Sequence, residues 1–178
     1  LEYYIITEKD DLFPANDQKG YHESSPFNKT AGFRREAMDM IAKCGGRIKY
    51  AHSEVGNFTI GDKNYEQNEI EFLPVALEDA ADQLAIAKWI LRKLAFTKGF
   101  TITFSPKITV GKAGSGLHIH LRLKKGDKEV MLNNEGLLSE VAKKAISGIL
   151  HYAPSLTAFG NTNPTSYFRL VPNQEAPT

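Results

Sequence analysis

Cysteine is almost absent from this chain of 178 residues: Cys44 stands alone, which excludes an internal disulfide framework and fits a reducing compartment. Net charge is scarce too. With 22 basic and 21 acidic residues the formal balance is +1, and no block or stripe of one sign interrupts it, so no nucleic-acid partner is expected. No apolar run approaches membrane-spanning length, and the first residues lack the order of a signal peptide. No membrane association is therefore expected, and the expected location is cytoplasmic. Internal repeats and low-complexity linkers are missing as well. What remains, 42% hydrophobic and 24% charged, has the proportions of a soluble globular protein long enough for one core. The chain opens inside an apolar run, Leu1-Glu-Tyr-Tyr-Ile-Ile6, and closes directly after a chemically suggestive loop, so an excised domain is expected.

After the opening strand, the polar, turn-rich stretch from Thr7 to Asn28 reads as loop. Phe33, Ala37, Met40, Ile41 and Cys44 recur at helical spacing and predict a helix over about 31–44, stopped by Gly45-Gly46. A strand is predicted at 47–50, a loop at 56–66 with a turn at Gly61-Asp-Lys-Asn64, and a half-buried strand at 67–73. A second helix is predicted at 77–98, where Leu84, Ala87, Leu91, Leu94 and Ala95 form an apolar stripe, acids occupy the first turns and Gly99 ends the pattern. Strands at 100–105 and 116–123, a hairpin turn at Lys125-Gly-Asp127 leading into 129–132, and a third helix at about 135–152 complete the pass. Helices interleave with half-polar strands, so the expected class is α+β, a mostly antiparallel sheet backed by helices.

Three carboxylates stand in or beside strands among apolar neighbours: Glu2 before Tyr3-Tyr4, Glu54 before Val55, and Glu69 before Ile70. An ionised carboxylate held near a sheet face needs a cation or a donor, and three converging would make a hard oxygen site for Mg2+ or Mn2+. The plain alternative is that each points to solvent. His118 and His120, two apart on the strand predicted at 116–123, would share a face just beyond the Gly114-Ser-Gly116 turn. Paired core histidines would give the same spacing. Cys44, on the apolar stripe of its helix, is expected to be a buried hydrophobe rather than a nucleophile.

Read in order, Leu1-Glu2, His52-Ser-Glu-Val55, Gln67-Asn-Glu69, Phe104-Ser-Pro-Lys107, Gly114-Ser-Gly-Leu-His-Ile-His120 and Ser166-Tyr-Phe-Arg-Leu-Val-Pro-Asn-Gln-Glu-Ala-Pro177 cover nearly the whole chain. This series resembles the catalytic domain of the glutamine synthetase family, which carries Glu-x-Glu, His-His-Glu-Val, Gln-x-Glu, Phe-x-Pro-Lys, Gly-Ser-Gly-x-His-x-His and Ser-Tyr-x-Arg-Leu-Val-Pro-x-x-Glu-Ala-Pro. The resemblance implies an ATP-dependent ligase that joins ammonia to the side-chain carboxylate of L-glutamate through γ-glutamyl phosphate. It implies two or more Mg2+ or Mn2+ ions per site, with Glu2, Glu54 and Glu69 holding the first and His118 the second. By the same resemblance His120 lies near the transferred phosphoryl group of the nucleotide, Gly114 contacts glutamate through its backbone, and Arg169 clamps the glutamate carboxylate. Glu175 matches a flap residue that closes over the intermediate and takes a proton from ammonium, and Tyr21 matches a tyrosine lining the ammonium site. The parent is expected to be a ring-shaped homo-oligomer with sites between subunits.

The chain departs from the family pattern in four places. Ala113 stands where ammonia-using members have asparagine, Arg122 replaces a serine near the nucleotide, Asn173-Gln174 replaces Gly-Tyr of the flap, and the segment between Glu54 and Glu69 is several residues longer. The partner of Glu2 in the Glu-x-Glu pair, the small N-terminal domain, and the downstream arginines and last metal-site glutamate all lie outside residues 1–178, so this piece is expected to be inactive alone. Two alternatives stay open: a γ-glutamyl–amine ligase using a larger amine, and a synthetase-like protein with a structural or regulatory role and no catalysis.

Overall fold

Alternation in the opening run sends Tyr3 and Ile5 to one side and Glu2 and Tyr4 to the other, and this two-faced segment is strand β1 (Glu2–Glu8). In the computed structural model, which describes residues 1–171, β1 lies inside a four-stranded sheet with β2 (Ile48–Ile60), β3 (Lys63–Phe72) and β4 (Thr101–Thr103). The order is β2-β3-β1-β4, and every neighbouring pair is antiparallel. The fold is therefore α+β with an antiparallel sheet, as the interleaved pattern predicts. Residues 1–117 and 168–171 belong to one compact unit, and residues 118–167 to a second.

Helices α1 (Ala31–Lys43) and α2 (Leu77–Thr97) are the predicted amphipathic segments, and they cover one face of the sheet. Their stripes, Phe33, Ala37 and Ile41 from α1 and Ala87, Ile90, Leu91, Leu94 and Ala95 from α2, bury against Leu1, Tyr3, Ile5 and Ile70. Full burial of a side chain such as Ile90 or Leu91 stabilises the fold by about 1.5–3 kcal/mol. α2 begins with Glu78 and Asp79, which complement the N-terminal dipole, and ends where Gly99 adopts φ +69° and Phe100 N–H returns to the Ala95 carbonyl.

The entrance to α1 has an unusual cap. Thr30 precedes the helix, but its own hydroxyl does not cap it. Instead the buried Glu66 carboxylate, reaching from β3, accepts from the Lys29 and Thr30 N–H groups, the Thr30 hydroxyl and Asn28 Nδ2 at 2.9–3.3 Å. Arg34 and Asn68 extend this polar cluster under the sheet.

Four sequence expectations are corrected. The segment 56–66 is not a loop: β2 runs to Ile60 and β3 starts at Lys63, with only Gly61-Asp62 as the turn. Its polar residues look loop-like, yet Asn57, Asn64 and Glu66 are buried, and their side chains bond within the hairpin or to Glu23 and residues 28–30 of the loop before α1. The segment 116–123 is not a strand, because no neighbouring strand pairs with it among the described residues, and its alternate Leu117, Ile119 and Leu121 are exposed. The third helix, α3 (Glu140–His151), starts five residues later than predicted. Asn133 Oδ1 accepts from the Glu135 and Leu137 N–H groups, Gly136 takes φ +78°, and the Ser139 hydroxyl caps Ala142 N–H, so the first predicted turn is a loop. Cys44 is exposed at the end of α1, just past the last turn of the apolar stripe.

The second unit also holds the predicted hairpin as β5 (Lys124–Lys125) and β6 (Lys128–Glu129), with Gly126 at φ +60°. It further contains an unpredicted helix α4 (Ala153–Gly160), where Pro154 sits at the helix start, a position that tolerates its missing N–H. Among the described residues no helix is long and apolar enough to cross a membrane.

Candidate metal and substrate site

The ladder registers set a row of polar side chains on the sheet face opposite the helices. Glu2 is directly across from Glu69, and Glu69 directly across from His52, so three adjacent strands deliver two carboxylates and an imidazole side by side. His52 Nε2 lies 3.4 Å from Glu69 Oε2, and His52 Nδ1 lies 3.5 Å from Glu54 Oε1. His52 Nδ1 is also 3.0 Å from the Ser53 carbonyl, which can only accept; the tautomer that satisfies this contact has its proton on Nδ1 and leaves Nε2 able to bind a cation.

Glu54, two residues beyond His52, shares its strand face and reaches it at 3.5 Å. Directly after it the β2–β3 register shifts, between Ser53 and Asn57, a bulge that ends the regular pairing beside the site. Burial pushes the Glu54 carboxyl above its ordinary 4.5. The Val55 N–H, at 2.9 Å, and His52 pull the other way, while the charges of Glu2 and Glu69 add to the rise. The charges of Glu2 and Glu69 thus reach Glu54.

The loop before α1 fastens to this bulge in strand fashion. Gln18, Gly20 and His22 donate their N–H groups to the carbonyls of Asn57, Val55 and Ser53 at 2.8, 3.2 and 3.1 Å. Only glycine fits at position 20, because a Cβ there would lie 2.6 Å from the Glu54 carbonyl oxygen. The loop brings Tyr21 edge-on to His52 at 5.3 Å and stacks His22 on it at 4.7 Å, while Tyr50 stacks on the other side at 5.4 Å.

The glycine turn approaches from a third direction. Gly116 N–H donates to Glu2 Oε2 at 2.8 Å, and Gln67 Nε2 donates to the same oxygen and to the Gly114 carbonyl, each at 3.0 Å. Gly114 leaves no room for a side chain: a Cβ would lie 2.4 Å from the Pro106 carbonyl oxygen and 2.7 Å from Arg169 Cγ. Arg169 therefore runs along the glycine turn. Burial, and then the Arg169 charge, lower Lys107 below its ordinary value, so two cationic side chains share this corner.

Glu2, Glu54, Glu69, Tyr21, Gly114 and Arg169 all lie in the first unit, the first three within electrostatic reach of one another. His118 and His120 lie in the second unit, exposed and not on a strand. Glu175 falls outside the described residues. Sequence reasoning missed two donors, His52 and Glu71, which with Glu69 place one ligand atom each within 4.8 Å of one another. The signal was available as His52-Ser-Glu54 and Glu69-Ile-Glu71, where spacing of two puts side chains on one strand face. Glu71 is already engaged, since hydrogen bonds from Lys49, at 2.7 Å, and from Tyr50 hold its carboxyl below 4.5. Glu54 is not in that 4.8 Å group, but it accepts from the Val55 N–H and lies 3.5 Å from His52 Nδ1, so it is tied to fewer donors than Glu71. Oxygen donors of like charge with one imidazole suit a hard divalent cation such as Mg2+ or Mn2+.

Comparison with known proteins identifies the family and the fold. A family model described as glutamine synthetase, catalytic domain, matches residues 2–178. The chain is 38% identical over 160 residues to a glutamine synthetase of Streptomyces filamentosus, covering 89% of this chain and 33% of that protein. It is 32% identical over 182 residues to a glutamine synthetase of Thermus thermophilus, covering 99% and 39% respectively. Among solved structures, a Plasmodium falciparum glutamine synthetase superposes with a TM-score of 0.78 at 23% identity, over 97% of this chain and 39% of that one. The chain thus spans about a third of the length of the relatives it matches.

Proposed function

The chain belongs to the glutamine synthetase catalytic-domain family, and from that premise we propose that its whole protein is an ATP-dependent ligase joining ammonia to the side-chain carboxylate of L-glutamate. The observation that carries the reading is the row of Glu2, Glu69 and His52, with Glu54 3.5 Å from His52 on the same strand face. In the proposed reaction an oxygen of the glutamate side chain attacks the terminal phosphorus of ATP and ADP leaves. Ammonia then attacks the acyl carbon of γ-glutamyl phosphate, phosphate departs, and the extra proton passes to a carboxylate base.

Glu2, Glu54 and Glu69 would hold one Mg2+ or Mn2+, and His118 a second. Bound there, such ions would neutralise charge on the phosphates and on the attacking carboxylate. Arg169 would take the glutamate α-carboxylate on its planar fork, the geometry that suits two parallel hydrogen bonds. Gly114 would present its backbone to the same substrate, because the absent Cβ allows close approach. Tyr21 would wall the acceptor site beside Glu54, His120 would meet the nucleotide, and Glu175 would close over the intermediate and accept the proton. The assembly is proposed to be a ring with sites between subunits.

The test is phosphate release by the full-length protein with ATP, Mn2+ and L-glutamate. Release that depends on both glutamate and ammonium supports the reading. Absence of Mn2+ binding in the presence of ATP overturns it and leaves only a structural or regulatory role. A larger amine as acceptor is favoured by one observation. Ala113 is pinned through its N–H to Gln18 Oε1 at 2.7 Å and through its carbonyl to the Tyr4 hydroxyl at 2.8 Å, and its methyl group offers no hydrogen bond. Release with methylamine or ethylamine in place of ammonium would identify that branch.

A further inference from the structure

Gln67 is buried on the site face of β3, directly across from Tyr4, and every hydrogen bond it makes goes to a segment that builds the candidate site. Its Oε1 accepts the Gly56 N–H at 3.0 Å, in the bulge that follows Glu54. Its two amide protons go to Glu2 Oε2 and to the Gly114 carbonyl, each at 3.0 Å. The orientation is self-consistent. A flipped amide would set oxygen against a carboxylate and a carbonyl, and NH2 against an N–H. Space around it is closed as well, since a Cβ on Gly56 would fall 2.6 Å from Gln67 Oε1 and 1.8 Å from the Tyr4 hydroxyl.

We propose that Gln67 is a positioning residue that sets the Glu2 carboxylate and the Gly114 backbone relative to each other, so that the metal-holding carboxylate and the glutamate-contacting turn are fixed as one unit. Gln67 touches neither reacting atoms nor a cation. Its effect is to orient Glu2 and to hold the Gly114 carbonyl by a neutral donor, and no other common side chain of this length offers two protons on one side and an acceptor on the other. Glutamate at this position would keep the acceptor for Gly56 while placing a second anion against Glu2 Oε2 and removing the hold on Gly114. The inference rests on the proposed ligase reading.

The experiment compares Gln67→Glu and Gln67→Met with wild type in the full-length protein, measuring Mn2+ affinity by calorimetry, KM for glutamate and for ATP separately, and thermal unfolding. Loss of an outer partner of a metal ligand costs about tenfold or more in metal affinity. The expected result is Mn2+ binding weakened by about that factor and a raised KM for glutamate, with KM for ATP little changed and both variants folded. Folded variants whose Mn2+ affinity and glutamate KM stay within about twofold of wild type, well short of that loss, would overturn the proposal. So would a failure of both variants to fold, because that is the behaviour of a purely architectural residue. If wild type itself binds no Mn2+, the ligase reading falls; if it binds and the variants match it, only the role of Gln67 falls.

Discussion

Glu2 and Glu69 stand directly opposite each other on neighbouring antiparallel strands, a like-charge pair at the shortest cross-strand spacing a sheet offers. Such pairs destabilise an empty sheet, and proteins keep them where a cation is to be held. Replacing Glu69 with glutamine removes the repulsion and keeps the shape. The metal-free Glu69→Gln protein should be more stable than wild type by up to ~1 kcal/mol, yet bind Mn2+ far more weakly. Urea unfolding and Mn2+ calorimetry check the two halves. A variant both less stable and equally able to bind would show that Glu69 serves the fold instead.

Glu54 makes a prediction about pH. Its carboxyl is raised in the folded state, chiefly by burial, so the native protein holds a proton that the unfolded chain has released. Stability from this group is greatest at low pH and declines as pH rises above about 4.5 through the folded value. The Glu54→Gln variant should lose that decline and gain on wild type toward neutral pH. Mn2+ affinity of wild type should rise over the same window, because the ligand must be ionised. Denaturation midpoints across a pH series test the first statement, and titrations of Mn2+ test the second.

Two glycines should respond in opposite senses to alanine. At Gly56 the new Cβ would strike the Tyr4 hydroxyl and Gln67, both held by hydrogen bonds, and overpacking of this kind costs about 1–3 kcal/mol. At Gly148, inside α3, a Cβ meets nothing within 4 Å, and alanine should stabilise that helix by about 1 kcal/mol. Thermal melts of the two variants give the comparison.

Glu66 separates a structural carboxylate from the site carboxylates. Truncating it to alanine strips the Lys29 and Thr30 N–H groups of their acceptor, and a buried charged hydrogen-bond network lost this way costs about 3 kcal/mol or more. Mn2+ affinity of the folded fraction should stay as in wild type. An Mn2+ affinity that fell in step with stability would mean the two carboxylate clusters act together.

The helices that cover the sheet were legible because their apolar residues recur at helical spacing and their ends carry Gly45 and Gly99. The hairpin of β2 and β3 was not, because Asn57, Asn64 and Glu66 read as polar loop, while their partners come from Glu23, from residues 28–30 and from the opposite strand. The carboxylates Glu2, Glu54 and Glu69 were readable as candidates, but their convergence depends on a ladder register between strands far apart in sequence, which no local spacing encodes. His52 and Gln67 were quoted only as parts of motifs. Their roles appear once three-dimensional neighbours are known: the rings of His22 and Tyr50 for one, Glu2 and Gly114 for the other.

One layer of backbone divides the apolar packing from the polar row. Aliphatic residues under α1 and α2 press on one side of the sheet, while Glu2, Glu69 and His52 stand on the other. A change in the core can therefore reach those polar side chains only by shifting the strands that carry both.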